Sequence, residues 1–350
     1  MSRIIEFDDQ RVKTNPADWY WREDVMRHER QNIFKKNWQL CARSAQLMNS
    51  GDYLVESIAG LPVILVRTED GELKAYQNVC RHRAGVLSVE SHNNCSRLRC
   101  IYHGWTYNLD GKLIKAPAIM QESGFDAEAF SLYPLLCESW NGLVFVNFNI
   151  KAESLGSWLG DIVGIMNEYP KLDNEFVFVR EESKAINANW KSYADNSCEG
   201  YHLPLVHREM AAFMNTALTR IEAREGEYVH FDVTYRDDCQ ACWIYKYPNF
   251  LIACEKNYIN IQSTDPLSPG TSRLRDYFWF SPECTEEQIQ ENLKASDLVT
   301  EEDRKICELV QKNLQTGVYS TGELSLTQEQ GTRYFQQLVR RDIGEKVGQI

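Results

Sequence analysis

The 350-residue sequence lacks several features that would assign it to a large class of proteins. It contains no apolar run near the roughly 20 residues that a membrane-spanning helix needs. It has no glycine-rich, phosphate-binding loop of the kind that holds nucleotides. Its net charge is −12, and its basic residues form only scattered pairs such as Arg340-Arg341. Because nucleic-acid binding requires a basic stripe, we expect neither a membrane protein nor a nucleic-acid-binding one.

Histidine is also scarce, and its placement is informative. Of the seven histidines, His82, His103, His202 and His207 fall into two spaced clusters. The 11 cysteines stand in a chain whose N-terminus becomes acidic too early for a secretory signal. We therefore expect a cytoplasmic protein with reduced thiols, some of them on metal, instead of a disulfide framework.

The pattern of apolar residues divides the chain into three segments, 1–37, 38–150 and 151–350. Residues 18–37 have the spacing of an amphipathic helix. Residues 38–150 predict a small antiparallel β domain, because turn dipeptides separate their apolar runs: Asp70-Gly71, Asp110-Gly111 and Asn141-Gly142. Beyond 150 we expect long strands, followed by helices over 285–341 that start at Thr285 and Thr300. The expected strands are Tyr228–Tyr235, Cys242–Tyr247 and Arg273–Phe280.

The first cluster pairs a cysteine with a histidine twice, in Cys80-Arg-His82 and Cys100-Ile-Tyr-His103. Each pair is short enough to lie on one tight loop, so two loops can close on a metal centre from opposite sides. Two thiolates and two imidazoles are the ligands of a Rieske [2Fe–2S] cluster, with a reduction potential of about −150 to +300 mV. A zinc site is the alternative. Zinc fingers usually pair Cys with Cys and His with His, so the pattern favours the iron–sulfur cluster.

The second cluster is a His-x4-His arrangement formed by His202 and His207. On a regular helix the two rings would diverge by about 140°. Pro204 interrupts that regularity, so that both rings can converge on one ion. Two His and a carboxylate form the facial triad of iron(II) oxygenases, which leaves positions open for dioxygen. A coincidental surface pair is the alternative, and it is weakened by the preceding Cys/His motif.

The two clusters together resemble those of the Rieske non-haem iron ring-hydroxylating and demethylating oxygenases, in their large catalytic subunit. The resemblance covers nearly the whole chain. It implies an α+β fold, with an antiparallel β Rieske domain inserted in a helix-grip (Bet v1-like) catalytic domain. It also implies that His202 and His207 bind a mononuclear Fe(II).

The third iron ligand in this family is an Asp near the start of a late helix. The segment Glu301-Glu302-Asp303 and the residues after it are most similar to that region. Asp303 is our candidate, because it would lie in the first turn while Ile306 and Val310 supply an apolar face. Glu302 is the rival. A simple interaction of the three acids with the helix dipole is the alternative explanation.

The family also has an acid three residues before the first iron-binding histidine, and here that residue is Glu199. The resemblance implies that it connects the iron site to a cluster-binding histidine of the neighbouring subunit in a homotrimer. Most relatives have Asp there, and Glu is similar to the branch that acts on choline, carnitine and betaine-like quaternary amines. Asp195 and Asn196 match positions that adjoin the iron ligands. A solvated helix face is the alternative for Asp195.

The activity implied by the resemblance is oxidation of a C–H bond in a small molecule, with dioxygen as co-substrate. Electrons would come from NAD(P)H through a separate flavin/iron–sulfur reductase. On a strand, Trp243, Tyr245 and Tyr247 would share one face, as an aromatic cage for a quaternary ammonium requires. Packing in the core against a helix is the alternative for these three residues.

Three hypotheses for the function follow from these patterns. The leading one is a monooxygenase for a small amine or betaine-like molecule. The second is a hydroxylase or dioxygenase of an aromatic acid, within the same family. The third is a non-catalytic Rieske electron carrier, which needs no mononuclear site. Segments 185–207 and 300–311 argue against the carrier, because they contain the candidate iron ligands.

Overall fold

The structure is a computed structural model that describes residues 2–215, 218–344 and 347. The chain forms two compact units: Phe34–Ser157, here the inserted unit, and Met1–Ile33 with Trp158–Ile350, here the main unit. The inserted unit interrupts the sequence of the main one. The limits 38 and 150 that we expect for the cluster domain lie inside the inserted unit and stay a prediction.

The inserted unit consists of antiparallel strands and short turns. Its strands are β1 (Gln39–Arg43), β2 (Tyr53–Ile58), β3 (Leu61–Arg67), β4 (Leu73–Gln77), β5 (Leu98–Arg99), β6 (Thr106–Tyr107), β7 (Leu113–Lys115), β8 (Pro134–Trp140) and β9 (Leu143–Asn147). A six-stranded sheet has the order β1-β9-β8-β4-β3-β2, and a three-stranded sheet has the order β5-β6-β7. The segment of Cys80 and His82 follows β4 of the larger sheet, and the segment of Cys100 and His103 joins β5 to β6 of the smaller one.

The three turn dipeptides join neighbouring strands, as the sequence predicts. Asp70-Gly71 connects β3 to β4, and Asp110-Gly111 connects β6 to β7. Asn141-Gly142 connects β8 to β9 with φ values of 48° and 77°. Both central residues of a type I′ turn need positive φ, which Asn and Gly adopt most readily. The hairpin predictions are confirmed.

The main unit is built around one antiparallel sheet. Its strands are β10 (Val177–Ile186), β11 (Arg220–Arg224), β12 (Tyr228–Thr234), β13 (Gln240–Lys246), β14 (Phe250–Cys254), β15 (Tyr258–Ser268) and β16 (Thr271–Phe280). These seven strands have the order β10-β16-β15-β14-β13-β12-β11. The three strands expected from the sequence correspond to β12, β13 and β16, with ends that differ by one or two residues.

Helices complete the main unit, and one helix, Leu155–Leu159, spans the division between the two units. They are α1 (Glu23–Glu29), α2 (Leu155–Leu159), α3 (Asp161–Met166), α4 (Trp190–Ser197), α5 (Leu203–Val206), α6 (Arg208–Phe213), α7 (Glu286–Leu314) and α8 (Gln330–Val339). The single helix expected over 18–37 is instead a 3₁₀ turn at Ala17–Tyr20, then α1, then a wider turn at Arg30–Phe34. Among the described residues, no helix combines the length and apolar composition needed to cross a membrane.

The longest helix, α7, positions the late acidic segment. Thr285 and Gln288 form the expected capping box at its start. The second expected start, at Thr300, is wrong, because α7 continues through it. Thr300 resembles a capping residue, but it lies on the buried stripe of α7 at helical spacing from Leu293 and Cys307. Asp303 is therefore in the interior of a long helix and not in its first turn.

Apolar packing holds α7 against the sheet. Leu293 lies in one core cluster with Phe278 and Phe280 of β16, and burial of such a side chain contributes about 1.5–3 kcal/mol. Arg180 of β10 adds a bidentate ion pair to Asp297, at 2.7 and 2.8 Å. The expected α+β class, with an antiparallel β domain inserted in the sequence of a second domain, is confirmed. The helix-grip description stays a prediction.

Candidate metal centres and active site

The two Cys/His pairs lie on two adjoining loops of the inserted unit. In the first loop the Cys80 amide donates to the Gly85 carbonyl at 2.7 Å, and in the second the Cys100 amide donates to the Trp105 carbonyl at 2.8 Å. The amide of Ile101 donates to Val86 and so joins the loops. These bonds are local, which explains why sequence spacing alone reveals this site. Both thiols are buried, at 2% and 3% exposure.

The two histidine side chains of these loops lie close together. The His82 and His103 rings are 4.7 Å apart, and His82 stacks on Trp105 at 4.8 Å with an interplanar angle of 7°. Tyr107, four residues after His103, is also part of this site, and the spacing of the Cys/His pairs does not reveal it. Its hydroxyl lies 3.2 Å from Cys80 Sγ and accepts from the Arg81 amide. A phenol at this distance can donate to a thiolate and stabilise its negative charge.

Two observations test whether these residues fit a [2Fe–2S] cluster. The Nδ1 atom of His82 is buried and has no hydrogen-bond partner among the described residues. A buried nitrogen of this kind is costly unless something binds it. A Cβ atom at Gly85 would lie 2.8 Å from Cys100 Sγ, so only glycine leaves that space open. The donor set of two thiols and two imidazoles fits the cluster.

The second His cluster is shaped by a break between two helices. Asn189 begins α4, where its side chain accepts from the Lys191 amide. The chain leaves α4 and enters the short α5, in which Pro204 occupies the first turn. His202 and His207 flank α5, and their ring centroids are 5.0 Å apart. The two rings thus lie close together, and their convergence on one ion stays a prediction.

Asp303 of α7 completes a three-residue group with the two histidines. The ligand atoms of His202, His207 and Asp303 all lie within 4.8 Å of one another. Oδ1 of Asp303 is 2.9 Å from His207 Nε2 and 3.6 Å from His202 Nε2. Two imidazole nitrogens and one carboxylate oxygen this close together fit the facial triad of a mononuclear iron.

Two glutamates hold the opposite nitrogens of the same rings. Glu199 Oε1 is 2.5 Å from His202 Nδ1, and Glu302 Oε2 is 2.7 Å from His207 Nδ1. A carboxylate beside Nδ1 favours the tautomer that has its proton on that nitrogen, and in this tautomer the lone pair of Nε2 is free to bind a metal ion. Glu302, the rival ligand in the sequence, is therefore placed beside the ring of His207, away from the point where the three ligand atoms meet.

The remaining acids and amides near the site have different surroundings. Asn196 Nδ2 donates to Asp303 Oδ1 at 2.7 Å and orients that carboxylate. Asp195 is half-buried, and other side chains bind its carboxylate, so it does not lie free on a solvated face. It accepts from the Tyr20 hydroxyl at 2.6 Å and from Gln336 Nε2 at 3.0 Å. Burial raises the pKa of Asp195 to about 6, although these hydrogen bonds oppose the shift.

The electrostatic surroundings of His207 favour positive charge. Burial on its own would lower the pKa of this imidazole, but the carboxylates of Asp303 and Glu302 raise it above its ordinary value. The side chain of His207 is 1% exposed. Two carboxylates beside a buried imidazole therefore make a position that stabilises a cation, as a divalent metal requires.

A cavity of about 480 Å³ opens on this three-residue group. His202, His207 and Asp303 lie in its wall, and the rest of the wall combines aromatic and apolar residues with polar ones. Its aromatic residues away from the metal position are Phe213, Phe231, Tyr235, Trp243 and Tyr258. Its volume is that of a small-molecule site.

The three aromatic residues expected on one strand face are separated by their surroundings. Trp243 lines the cavity. Tyr245 and Tyr247 instead pack against Phe335 of α8, with ring centroids 6.0 and 5.9 Å away. For these two residues the structure agrees with the alternative, core packing. Sequence inspection missed the other aromatic residues of the cavity and also Glu255, because strand alternation does not tell which residues face a cavity.

The fold and these two centres define an enzyme that combines an iron–sulfur domain with a mononuclear-iron site. A family model described as "Rieske [2Fe-2S] domain" matches residues 37–132. A second, "Ring hydroxylating alpha subunit (catalytic domain)", matches residues 171–234 and 220–345. The chain belongs to the Rieske-type ring-hydroxylating oxygenase family. It is thus an oxidoreductase whose cofactors are a Rieske cluster and a mononuclear iron, and whose co-substrate is dioxygen.

Several characterised proteins are similar over nearly the whole chain. The chloroplastic choline monooxygenase of Spinacia oleracea is 28% identical over 356 residues, which cover 95% of this chain and 80% of that one. The carnitine monooxygenase oxygenase subunit of Acinetobacter pittii is 26% identical over 93% of this chain and 94% of its own. A quaternary ammonium Rieske monooxygenase in complex with L-carnitine superposes with a TM-score of 0.83 at 25% identity, covering 95% of this chain and 96% of that chain.

Proposed function

We propose that this chain is the oxygenase component of a monooxygenase that hydroxylates or demethylates a quaternary amine or a betaine-like molecule. The observation that carries the proposal is the three-residue group His202, His207 and Asp303 in the wall of an aromatic cavity. Aromatic faces bind ammonium groups with about 0.5–2 kcal/mol each. The relatives named for choline and carnitine support the same substrate class.

In this proposal each cluster residue has a distinct role within a domain of residues 38–150. Cys80 and Cys100 bind one iron, and His82 and His103 bind the other. Tyr107 stabilises the Cys80 thiolate from 3.2 Å. The cluster supplies single electrons at moderate potential when it is bound. Residues 1–37 and 151–350 form the catalytic domain.

The side chains around the second centre orient its ligands. His202, His207 and Asp303 bind the iron, which supplies open coordination positions for dioxygen when it is bound. Glu199 and Glu302 keep the Nδ1 protons of the two histidines, and Asn196 orients Asp303. The aromatic residues of the wall give the substrate an apolar surface to bind.

The overall reaction consumes one dioxygen, two electrons and two protons for each C–H bond. One oxygen atom forms the hydroxyl group of the product, and the other leaves as water. If the hydroxylated carbon is bonded to a quaternary nitrogen, the C–N bond then breaks. The products are an aldehyde and a tertiary amine, with the hydroxyl proton released.

The electrons must come from a reductase and pass through a cluster, and Glu199 is our candidate for the residue through which they enter the iron site. Its carboxylate holds His202 and lies partly exposed, at 11%. We propose that it connects this ligand to the cluster of a neighbouring subunit in a homotrimer. A separate flavin/iron–sulfur reductase then supplies the electrons from NAD(P)H.

The experiment that tests the proposal combines metal analysis with product analysis. The wild-type protein should contain about three iron atoms per chain, and His202→Ala about two, with the visible spectrum of the Rieske cluster retained. With a surrogate reductase, the wild type should form an aldehyde from a choline- or betaine-like compound, and the variant should not. Two iron atoms in the wild type would indicate an electron carrier, and loss of the Rieske spectrum in the variant would show that His202 is misassigned.

A further inference from the structure

Glu255 is a carboxylate in the wall of the active-site cavity that the chemistry above does not use. It follows β14 directly, and its backbone amide donates to the Tyr258 carbonyl at 2.9 Å. Its Oε1 atom accepts from Trp243 Nε1 and from the Tyr235 hydroxyl, each at 2.9 Å. The two donors direct the carboxylate among the aromatic residues that line the cavity with the iron ligands.

The carboxylate of Glu255 has no cationic partner in the described part of the chain. None of the ion pairs among those residues includes it, and its Oε2 atom accepts no hydrogen bond there. No Arg or Lys is among the described residues that line the cavity. Burial of a carboxylate without a counter-ion is unfavourable, so protonation of Glu255 or a cation bound beside it would stabilise this position.

The other acidic residues of the cavity wall are occupied or exposed. Glu199 and Glu302 each hold a histidine ring, and Asp303 is in the metal-binding group. Glu209 is exposed on α6. Glu255 is therefore the one acid in the described wall that is sheltered and still available to a bound molecule.

The protonation behaviour of the Glu255 carboxylate is consistent with its pairing with a bound molecule. Burial raises the pKa of Glu255 to about 7, while the hydrogen bonds from Trp243 and Tyr235 act in the opposite direction. Burial also raises the pKa of Tyr235 and of Tyr258, so both phenols stay neutral. The cavity thus presents one titratable carboxylate, surrounded by neutral aromatic rings, in the physiological range.

We propose that Glu255 is the residue that selects a net-cationic ammonium substrate, by pairing with its positive charge between Trp243 and Tyr235. The inference deepens the proposed function and rests on it. Since the described wall offers no Arg or Lys for a carboxylate, a zwitterion of the betaine type and an aromatic acid are both disfavoured. The substrate class becomes an ammonium compound without a carboxylate, such as an amino alcohol.

A purely structural role for Glu255 is the competing explanation, and a conservative substitution separates the two. In Glu255→Gln the amide oxygen can still accept from Trp243 and Tyr235, so a structural acceptor is retained while the charge is lost. Glu291→Gln, at an exposed position on α7, removes the same charge from a residue outside the described wall and serves as the matched control. Glu255→Asp keeps the charge but withdraws it by one methylene.

The test measures binding by calorimetry, without turnover, in anaerobic iron-loaded protein. The probes are choline, its uncharged carbon isostere 3,3-dimethylbutanol, glycine betaine and benzoate. Wild type and Glu291→Gln should bind choline at least ~10-fold more tightly than the other three probes, equivalent to about 1.4 kcal/mol. In Glu255→Gln the affinity for choline should fall to that for the isostere, and Glu255→Asp should be intermediate.

The outcomes separate this inference from the proposed function. Unchanged choline affinity in Glu255→Gln would overturn the role of Glu255. Failure of the wild type to bind choline, or tighter binding of betaine or benzoate, would overturn the net-cation class. In both cases the oxygenase proposal would stand if the loaded enzyme still oxidised an amine. That proposal fails separately if no amine is oxidised by enzyme with both centres filled and a working reductase.

Discussion

The hydrogen bond between Glu302 and His207 offers a sharp test of how the iron site is organised. Glu302 and Asp303 are adjacent on α7, so their side chains diverge by about 100° around the helix axis. They contact opposite nitrogens of one imidazole, at 2.7 Å and 2.9 Å. We therefore expect Glu302→Ala to leave the ligand set intact and to weaken it by releasing the His207 ring.

The expected loss of iron affinity in Glu302→Ala follows from the contacts of the His207 ring. Loss of a hydrogen bond to a charged group costs about 1.5–3 kcal/mol, and His207 is too deeply buried for water to reach it freely. The side chain of Glu302 is 29% exposed, however, so water can replace part of the lost bond. We expect iron affinity to fall by about 10–30-fold, toward the lower end of the range for residues that support metal ligands.

The assay is iron retention against a competing chelator. The Rieske spectrum of the same chain serves as an internal control for folding. Glu301→Ala is the matched control, because that neighbouring carboxylate pairs with Arg304 on the helix surface and not with a histidine. Glu302→Gln should lose less than ~5-fold, since its amide oxygen can still accept the Nδ1 proton.

Two results would refute this reasoning. Wild-type iron retention in Glu302→Ala would show that the ring of His207 needs no support from this carboxylate. Complete loss of the catalytic iron, equal to that in Asp303→Ala, would place Glu302 in the ligand set. A loss of equal size in Glu301→Ala would indicate a general effect of charge near the site.

Further predictions concern electron transfer, pH dependence and stability. Glu199→Gln should leave both metals bound but stop rapid single-turnover oxidation of the cluster, and fast oxidation would contradict the proposed connection between subunits. Because the pKa of Glu255 is raised to about 7, its carboxyl is neutral below that pH, so choline affinity should rise between pH 6 and pH 8 and stay flat in Glu255→Gln. Lys191→Met should cost about 3–5 kcal/mol in urea unfolding, since it leaves the buried Glu29 without its cationic partner. By contrast, Arg11→Met breaks only an exposed pair and should cost under about 1 kcal/mol; equal losses would contradict this account.

The sequence by itself determined the features that depend on a few neighbouring residues. Cys80 with His82, and Cys100 with His103, lie on single loops closed by their own backbone bonds, so spacing identifies them. His202 and His207 likewise flank one short helix that contains Pro204, so their approach to each other is also a local feature. The Asn141-Gly142 turn and the Thr285 capping box were equally predictable, because their chemistry lies within four residues.

The tertiary structure alone decided which distant groups meet. Thr300 carries the signature of a helix start, but packing of α7 against the sheet extends the helix through it. Adjacent acids at 302 and 303 cannot be distinguished by spacing, and only the approach of α7 to α5 places them on opposite nitrogens of His207. Strand alternation likewise puts Trp243 and Tyr245 on one face, while α8 covers one and leaves the other in the cavity beside Glu255. Contacts between segments far apart in sequence depend on how the elements pack, and local patterns contain no information about that packing.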